Sequence, residues 1–148
     1  TWTPGAHAGT FRGNQLAMKA GTVLLKKVSQ PKFLQDVSKK GELIRARLNA
    51  LKEKVSIIGD IRGQGLMVGT EFVDPKGQKD CMGSLPACGE IAAKVQKLCF
   101  ENFLVVEKGG RNGSVMRCLC ALNISEEDVN KAMDIFEKCV LQVNQEYK

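Results

Sequence analysis

Apolar residues recur at helical spacing in four stretches of this chain, and β-rich runs interrupt them in two places. Residues 1–13 are Gly-rich and aperiodic. Asn14 stands where an N-cap belongs, just ahead of an apolar stripe at Leu16, Ala20, Val23 and Leu24. That helix should stop near Ser29, because Pro31 disfavours helical geometry in Gln30. A second helix carries Val37, Ile44, Leu48, Leu51 and Val55 on one side, with Gly41 as a weak point in its interior. Two β-rich runs at 57–61 and 66–72, joined by Arg62, Gly63, Gln64 and Gly65, predict a hairpin. A polar loop with Pro75, Gly77, Gly83 and Pro86 leads to a third helix, whose core stripe is Cys88, Ile91, Ala92, Val95, Leu98 and Cys99. A second hairpin is predicted with strands near 103–107 and 114–122, its tip holding Gly109, Gly110, Arg111, Asn112 and Gly113, where Asn-Gly suits a tight turn. Ser125 with Asp128 makes a capping-box arrangement for a last helix that turns Val129, Met133, Phe136, Val140 and Val143 inward. The order α, α, β, β, α, β, β, α suits an α+β fold: a small, mainly antiparallel sheet covered by helices.

At 148 residues, with 43% hydrophobic and 26% charged content, the chain has the composition of an ordinary soluble domain with a real core. No apolar run reaches the roughly 18 residues of a membrane span, and no basic-then-apolar secretory pattern opens the chain. A cytoplasmic location is expected, with no membrane partner. The first residue is Thr1, in a stretch that reads like the middle of a longer protein. A net charge of +6 raises the question of nucleic acid. The placement of the charges argues against it: Lys26, Lys27, Lys39, Lys40, Lys52 and Lys54 fall on the polar sides of predicted helices, and no aromatics are interleaved with them as a stacking platform. Of the six cysteines, Cys81, Cys88, Cys99, Cys118, Cys120 and Cys139, no two stand at C-x-x-C spacing, so they read as reduced, mostly buried thiols and no metal site is expected.

Four local features are candidates for chemistry. Gly63, Gly65 and Gly69 do not make a G-x-G-x-x-G spacing and precede a strand, so they read as hairpin-corner glycines rather than a nucleotide loop. His7 has no carboxylate or serine nearby in sequence. The segment from Gly9 and Thr10 through Arg12 and Gly13 to Asn14 sets a hydroxyl and two glycines before a helix with free N–H groups; it suits an anion, and a plain N-cap explains the same residues. Arg117 lies inside the apolar strand Val115-Met116-Arg117-Cys118-Leu119-Cys120, where a charge is costly unless paired. An internal carboxylate and a ligand carboxylate would each satisfy it.

Read together, Trp2 through Ala17, Asp60-Ile61-Arg62-Gly63-Gln64-Gly65-Leu66-Met67, and the Glu107-to-Arg117 stretch E-x-G-G-R-x-G-x-V-x-R resemble, in order, motifs of class III pyridoxal-phosphate aminotransferases of the diaminobutyrate branch. The resemblance covers nearly the whole chain. It implies the C-terminal small domain of a fold-type I transferase, with residues 1–30 as the loop and helix arriving from a large domain and residues 31–148 as the small domain. It implies a homodimer in which Thr10, beside Gly9, reaches the phosphate of pyridoxal 5'-phosphate in the partner subunit, and in which Arg117 binds the carboxylate of glutamate or 2-oxoglutarate. Arg12, standing where many relatives carry Gly or Ser, becomes a candidate for holding substrate. The Schiff-base lysine and the acidic partner of the pyridine nitrogen fall upstream of Thr1 in the family's order, so no catalytic residue is expected in this chain. Cys120-Ala121 departs from the paired prolines of siderophore-branch relatives, and the wording Arg117-Cys118-Leu119-Cys120 is closer to the ectoine-pathway enzymes.

The expected activity is that of a parent protein moving the distal amino group of L-2,4-diaminobutyrate, or a similar ω-amine, to 2-oxoglutarate, with the isolated chain inactive. Three other readings are open to this sequence: a different class III transaminase, of ornithine, 4-aminobutyrate or acetylornithine type; a non-catalytic association domain; and a basic nucleic-acid binder.

Overall fold

The structure is a computed structural model that describes residues 2–147. Its elements follow the predicted order, and the chain divides into two compact units, Thr1–Asp36 and Val37–Lys148. No helix among the described residues is long and apolar enough to cross a membrane.

In the first unit a turn-rich loop opens onto α1 (Gln15–Val28). The Asn14 side chain accepts a hydrogen bond from the Ala17 N–H at 3.0 Å, and the Ser29 N–H returns to the Leu25 carbonyl at 3.0 Å, so start and stop lie where local chemistry put them. The apolar stripe is not in a core. Leu16 is 83% exposed and Val23 58%, because this unit holds one helix, one loop and the first turn of α2, and has no second layer to cover them.

α2 (Pro31–Lys52) starts with proline at its first position, where the missing N–H costs nothing. In the second unit it lays Ile44, Leu48 and Leu51 into a single core. Gly41 turns out to be a contact point. A Cβ there would stand 2.1 Å from the Gly65 carbonyl oxygen, so only glycine lets the helix backbone rest on the hairpin tip. The hairpin pairs β1 (Ile58–Gln64) with β2 (Met67–Phe72), and its turn is tighter than predicted: Gln64 still pairs with Met67, leaving Gly65 and Leu66 to close it, Gly65 at φ 54°.

α3 (Gly89–Glu101) buries Ile91, Ala92, Val95 and Cys99, with Cys88 as its N-cap and Leu98 half-buried. The strand predicted from Phe103 onward begins later. The Leu104 N–H bonds the Cys99 carbonyl at 2.9 Å and the Phe103 N–H the Phe100 carbonyl at 3.0 Å, a Schellman termination that uses these residues to close α3. β3 is therefore only Glu107–Gly109, and a single 3-10 turn over Arg111–Gly113, with Asn112 at φ 55°, leads into β4 (Val115–Leu119). β4 ends at Leu119, short of the predicted 122, because its pairing partner β2 begins at Met67 directly opposite. Ser125 caps α4 (Glu126–Asn144): its hydroxyl donates to the Asp128 carboxylate at 2.7 Å and accepts from the Asp128 N–H at 3.0 Å.

The strands form one antiparallel sheet ordered β1-β2-β4-β3. Val68, Thr70 and Phe72 of β2 and Met116 of β4 are fully buried and pair with Ile61 and Cys118 on the same face, against residues of α2, α3 and α4. Two lysines leave the solvated faces expected of them. Lys40 is buried and its Nζ donates to the Ile124 carbonyl at 2.6 Å, and Lys52 Nζ donates to the Gly59 carbonyl at 2.7 Å. The Lys40 ammonium satisfies a carbonyl of the loop before α4, and that of Lys52 a carbonyl at the register shift between Ile58 and Asp60 in β1.

Phe103 occupies the C' position of the α3 termination at φ 64° while 98% exposed. Left-handed geometry costs a side-chain-bearing residue about 1–2 kcal/mol, against about 0.4–1 kcal/mol for the extra freedom glycine brings to the unfolded chain. With no burial to lose, Phe103→Gly is expected to stabilise the fold by about 0.5–1 kcal/mol, read as a higher urea midpoint at unchanged slope.

Candidate functional site

The face of the sheet opposite the buried one carries charge. Register sets Arg62, Gly69, Arg117 and Glu107 in one row across the four strands, with Asp60, Glu71, Val115 and Gly109 in the next. Arg62 Nη1 donates to Asp60 Oδ2 at 2.7 Å and to Glu71 Oε2 at 2.6 Å. That hydrogen bond holds the Asp60 carboxyl below its ordinary range. The group is satisfied and reads as a surface brace on β1 and β2.

Arg117 is placed differently. Its Nη2 donates to Glu107 Oε1 at 2.5 Å, and its Nε is buried with no partner among the described residues. The side chain is 35% exposed, so the guanidinium sits at the surface of the sheet and outside the core. Both alternatives left by the sequence therefore bear on it: an internal carboxylate is present, and the fork is not saturated by it. Glu107 is the residue that sequence reasoning passed over as a partner. The two are ten positions apart and face each other only because β3 pairs antiparallel with β4. An apolar cleft of about 260 Å³ has Glu107 and Arg117 among its lining residues, with Ile44, Val106, Cys118 and Phe136.

Thr10, Gly9 and Arg12 lie in the first unit, in the turn before α1, and Arg117 lies in the second. The Arg12 N–H closes the turn on the Gly9 carbonyl at 3.1 Å. The Arg12 side chain folds back over Gly9, where a Cβ would meet its Nε at 2.9 Å. Thr10 is exposed. The N–H groups of Gln15 and Leu16 have no acceptor within the helix, while that of Ala17 is taken by Asn14. His7 stacks edge-on against Trp2 at 4.9 Å between ring centres.

All six thiols are free, but only Cys99 and Cys139 are fully buried; Cys88, Cys118 and Cys120 are half-buried and Cys81 is exposed. Among the described residues no group of His, Cys, Asp or Glu stands close enough to hold a metal ion. Burial, then the neighbouring Cys120, pushes the Cys118 thiol up to about 11. A thiol raised above its unfolded value of about 8.5 contributes stability that is complete below that pH. The contribution is lost as pH climbs toward about 11. At pH 8, Cys81 is expected to react with a thiol-specific disulfide reagent at the rate of a free thiol, with Cys99, Cys118 and Cys139 protected until urea unfolds the chain. Equal rates at all six positions would contradict the burial.

The family model for class-III aminotransferases matches residues 1–140. A diaminobutyrate–2-oxoglutarate aminotransferase of Haemophilus influenzae is 41% identical over 95% of this chain and 31% of its own length. One of Rhizobium meliloti is 43% identical over 88% of this chain and 28% of its own. The chain thus spans about three-tenths of the length of the relatives it matches. Among solved structures, a transaminase of a marine Virgibacillus shares the fold over the whole chain with a TM-score of 0.78 at 18% identity, covering 33% of that protein. An acetylornithine aminotransferase of Elizabethkingia anophelis, 26% identical, superposes over 95% of this chain and 32% of its own with a TM-score of 0.71. The α+β sheet with its covering helices, the ordered motifs and the match over residues 1–140 lead to one conclusion: this chain belongs to the class III aminotransferases.

Proposed function

We propose that this chain is the C-terminal part of a pyridoxal-phosphate enzyme that moves the distal amino group of L-2,4-diaminobutyrate to 2-oxoglutarate, and that its share of the work is to bind and orient. Class III aminotransferases depend on pyridoxal phosphate in general. The residues before α1 fit a phosphate: free N–H groups at a helix start, an exposed threonine hydroxyl, and a guanidinium folded onto glycine beside them. Thr10 and Gly9 are assigned to the phosphate, presented to the other subunit of a homodimer, with Arg12 turned toward the substrate. When bound, the cofactor supplies the electron sink that lets nitrogen pass between an amine and a 2-oxo acid. No lysine of this chain is assigned to carry it.

Arg117 is assigned to the substrate carboxylate. The observation that carries this reading is a guanidinium fixed in mid-strand on the open face of the sheet, exposed in part, with one nitrogen on Glu107 and its buried Nε unpartnered. A planar fork held in this way binds a carboxylate in a set orientation, which is what a reaction between two bound partners requires. Relatives that are acetylornithine aminotransferases, at 33% and 34% identity, support a second reading with a different ω-amine; the 41% and 43% matches favour diaminobutyrate.

In the complete protein carrying this chain, Arg117→Gln is expected to raise KM for 2-oxoglutarate about 10- to 100-fold, the worth of one charged hydrogen-bonding pair, with a smaller effect on kcat. An unchanged KM would remove Arg117 from the substrate site. The 148-residue chain by itself, mixed with pyridoxal phosphate, is expected to give no lysine-linked absorbance band and no transamination; a band lost on reduction and traced to one lysine peptide would place the cofactor lysine here.

A further inference from the structure

Arg117 is held from one side only. Its neighbour across β2 is Gly69, and its charged partner stands across β3, where Glu107 is directly opposite and Gly109 is opposite Val115 two positions on. Glu107 and Gly109, two residues apart on one strand, share a face. A Cβ on Gly109 would lie 2.9 Å from Arg117 Nη2, 3.5 Å from Cζ and 3.7 Å from Nε, so the guanidinium occupies the space that a side chain at that position would fill. Among the described residues one side-chain hydrogen bond, from Nη2 to Glu107 Oε1 at 2.5 Å, fixes one corner of the guanidinium. One point of attachment leaves a planar group free to swing about it; the absence of a side chain at Gly109 leaves room for the guanidinium to lie over β3 beside Glu107.

We infer that β3 is the positioning element of Arg117, with Glu107 as the anchor of its guanidinium and Gly109 as the floor that sets its plane, and that the two together determine how tightly a substrate carboxylate is held. The inference rests on the assignment of Arg117 to that carboxylate. It differs from a role for Glu107 as a competitor that the substrate must displace. Removal of a competitor strengthens carboxylate binding, whereas removal of an anchor weakens it.

The test uses Glu107→Ala, Glu107→Gln and Gly109→Ala. In the complete protein, Glu107→Ala and Gly109→Ala are expected to raise KM for 2-oxoglutarate about tenfold, with kcat within about twofold, since misplacement of an orienting group acts on binding geometry. KM for an aldehyde acceptor without that carboxylate stays unchanged. Glu107→Gln, which keeps an acceptor for Nη2, restores most of the loss. A fall in KM with Glu107→Ala makes Glu107 a competitor and overturns the inference, as does an equal rise for both acceptors. A second readout needs neither cofactor nor catalysis. In the 148-residue chain, the buried Arg117 Nε–H is expected to give a resolved, slowly exchanging side-chain NMR signal that Glu107→Gln preserves and that Glu107→Ala and Gly109→Ala shift and expose to exchange with water. The same signal in all four proteins would show that β3 does not hold the group. If Arg117→Gln leaves KM unaltered while the NMR result holds, the substrate assignment fails and the positioning contact stands.

Discussion

Helices cover one face of this sheet, and the alternation of side chains along a strand turns that into a rule for every position. With Val68, Thr70 and Phe72 facing α2, α3 and α4, Gly69 and Glu71 must face away; with Met116 and Cys118 inward, Val115 and Arg117 must point out. A one-residue slip would drive the Arg117 guanidinium into the apolar core and expel Met116, a change that costs several kcal/mol on the charge alone. The register is pinned at the hairpin tip. Gly63, at φ 146°, lets β1 pass so close to β2 that a Cβ would meet the Met67 carbonyl oxygen at 2.1 Å, and Gly41 brings the α2 backbone down on Gly65.

The helices are tied to one another by a small number of polar links at the margin of the core. Arg47 of α2 reaches Glu137 at 2.7 Å, Asp134 at 2.6 Å and the Asn130 side chain at 3.2 Å on α4, and its pKa rises chiefly through the hydrogen bond to Glu137. Its side chain is 22% exposed, so this network is screened less than the lysine pairs on the surface. Asn144 performs a similar service further along α4, accepting from the Ser56 N–H at 3.0 Å just before β1. Ile44 of α2 and Phe136 of α4 line the same apolar cleft as Glu107 and Arg117.

The binding roles proposed for this chain fall on two kinds of local structure. The head of α1 offers donors because any helix start has spare N–H groups, and glycine and threonine make them reachable. Arg117 offers a fork because a strand holds its backbone rigid and a neighbouring strand limits its swing. The first needs only a short stretch of sequence. The second needs three strands in register.

That difference marks what the chain alone determines. Local rules read directly from residues gave correct element order, the caps at Asn14 and Ser125, the stop near Ser29, and the inward faces of α3 and α4, since each depends on neighbours within four positions. An unusual charge in an apolar run was enough to single out Arg117 and to demand an acidic partner. Pairing in space decided the remainder. Glu107 became that partner only through the β3–β4 ladder, and Gly41 changed from a flaw in a helix into its point of contact with Gly65. Phe103 was claimed by the end of α3 before a strand could begin there. The stripe on α1, perfectly legible as a pattern, stayed exposed, because periodicity states which face of a helix is apolar and cannot state whether anything is present to bury it.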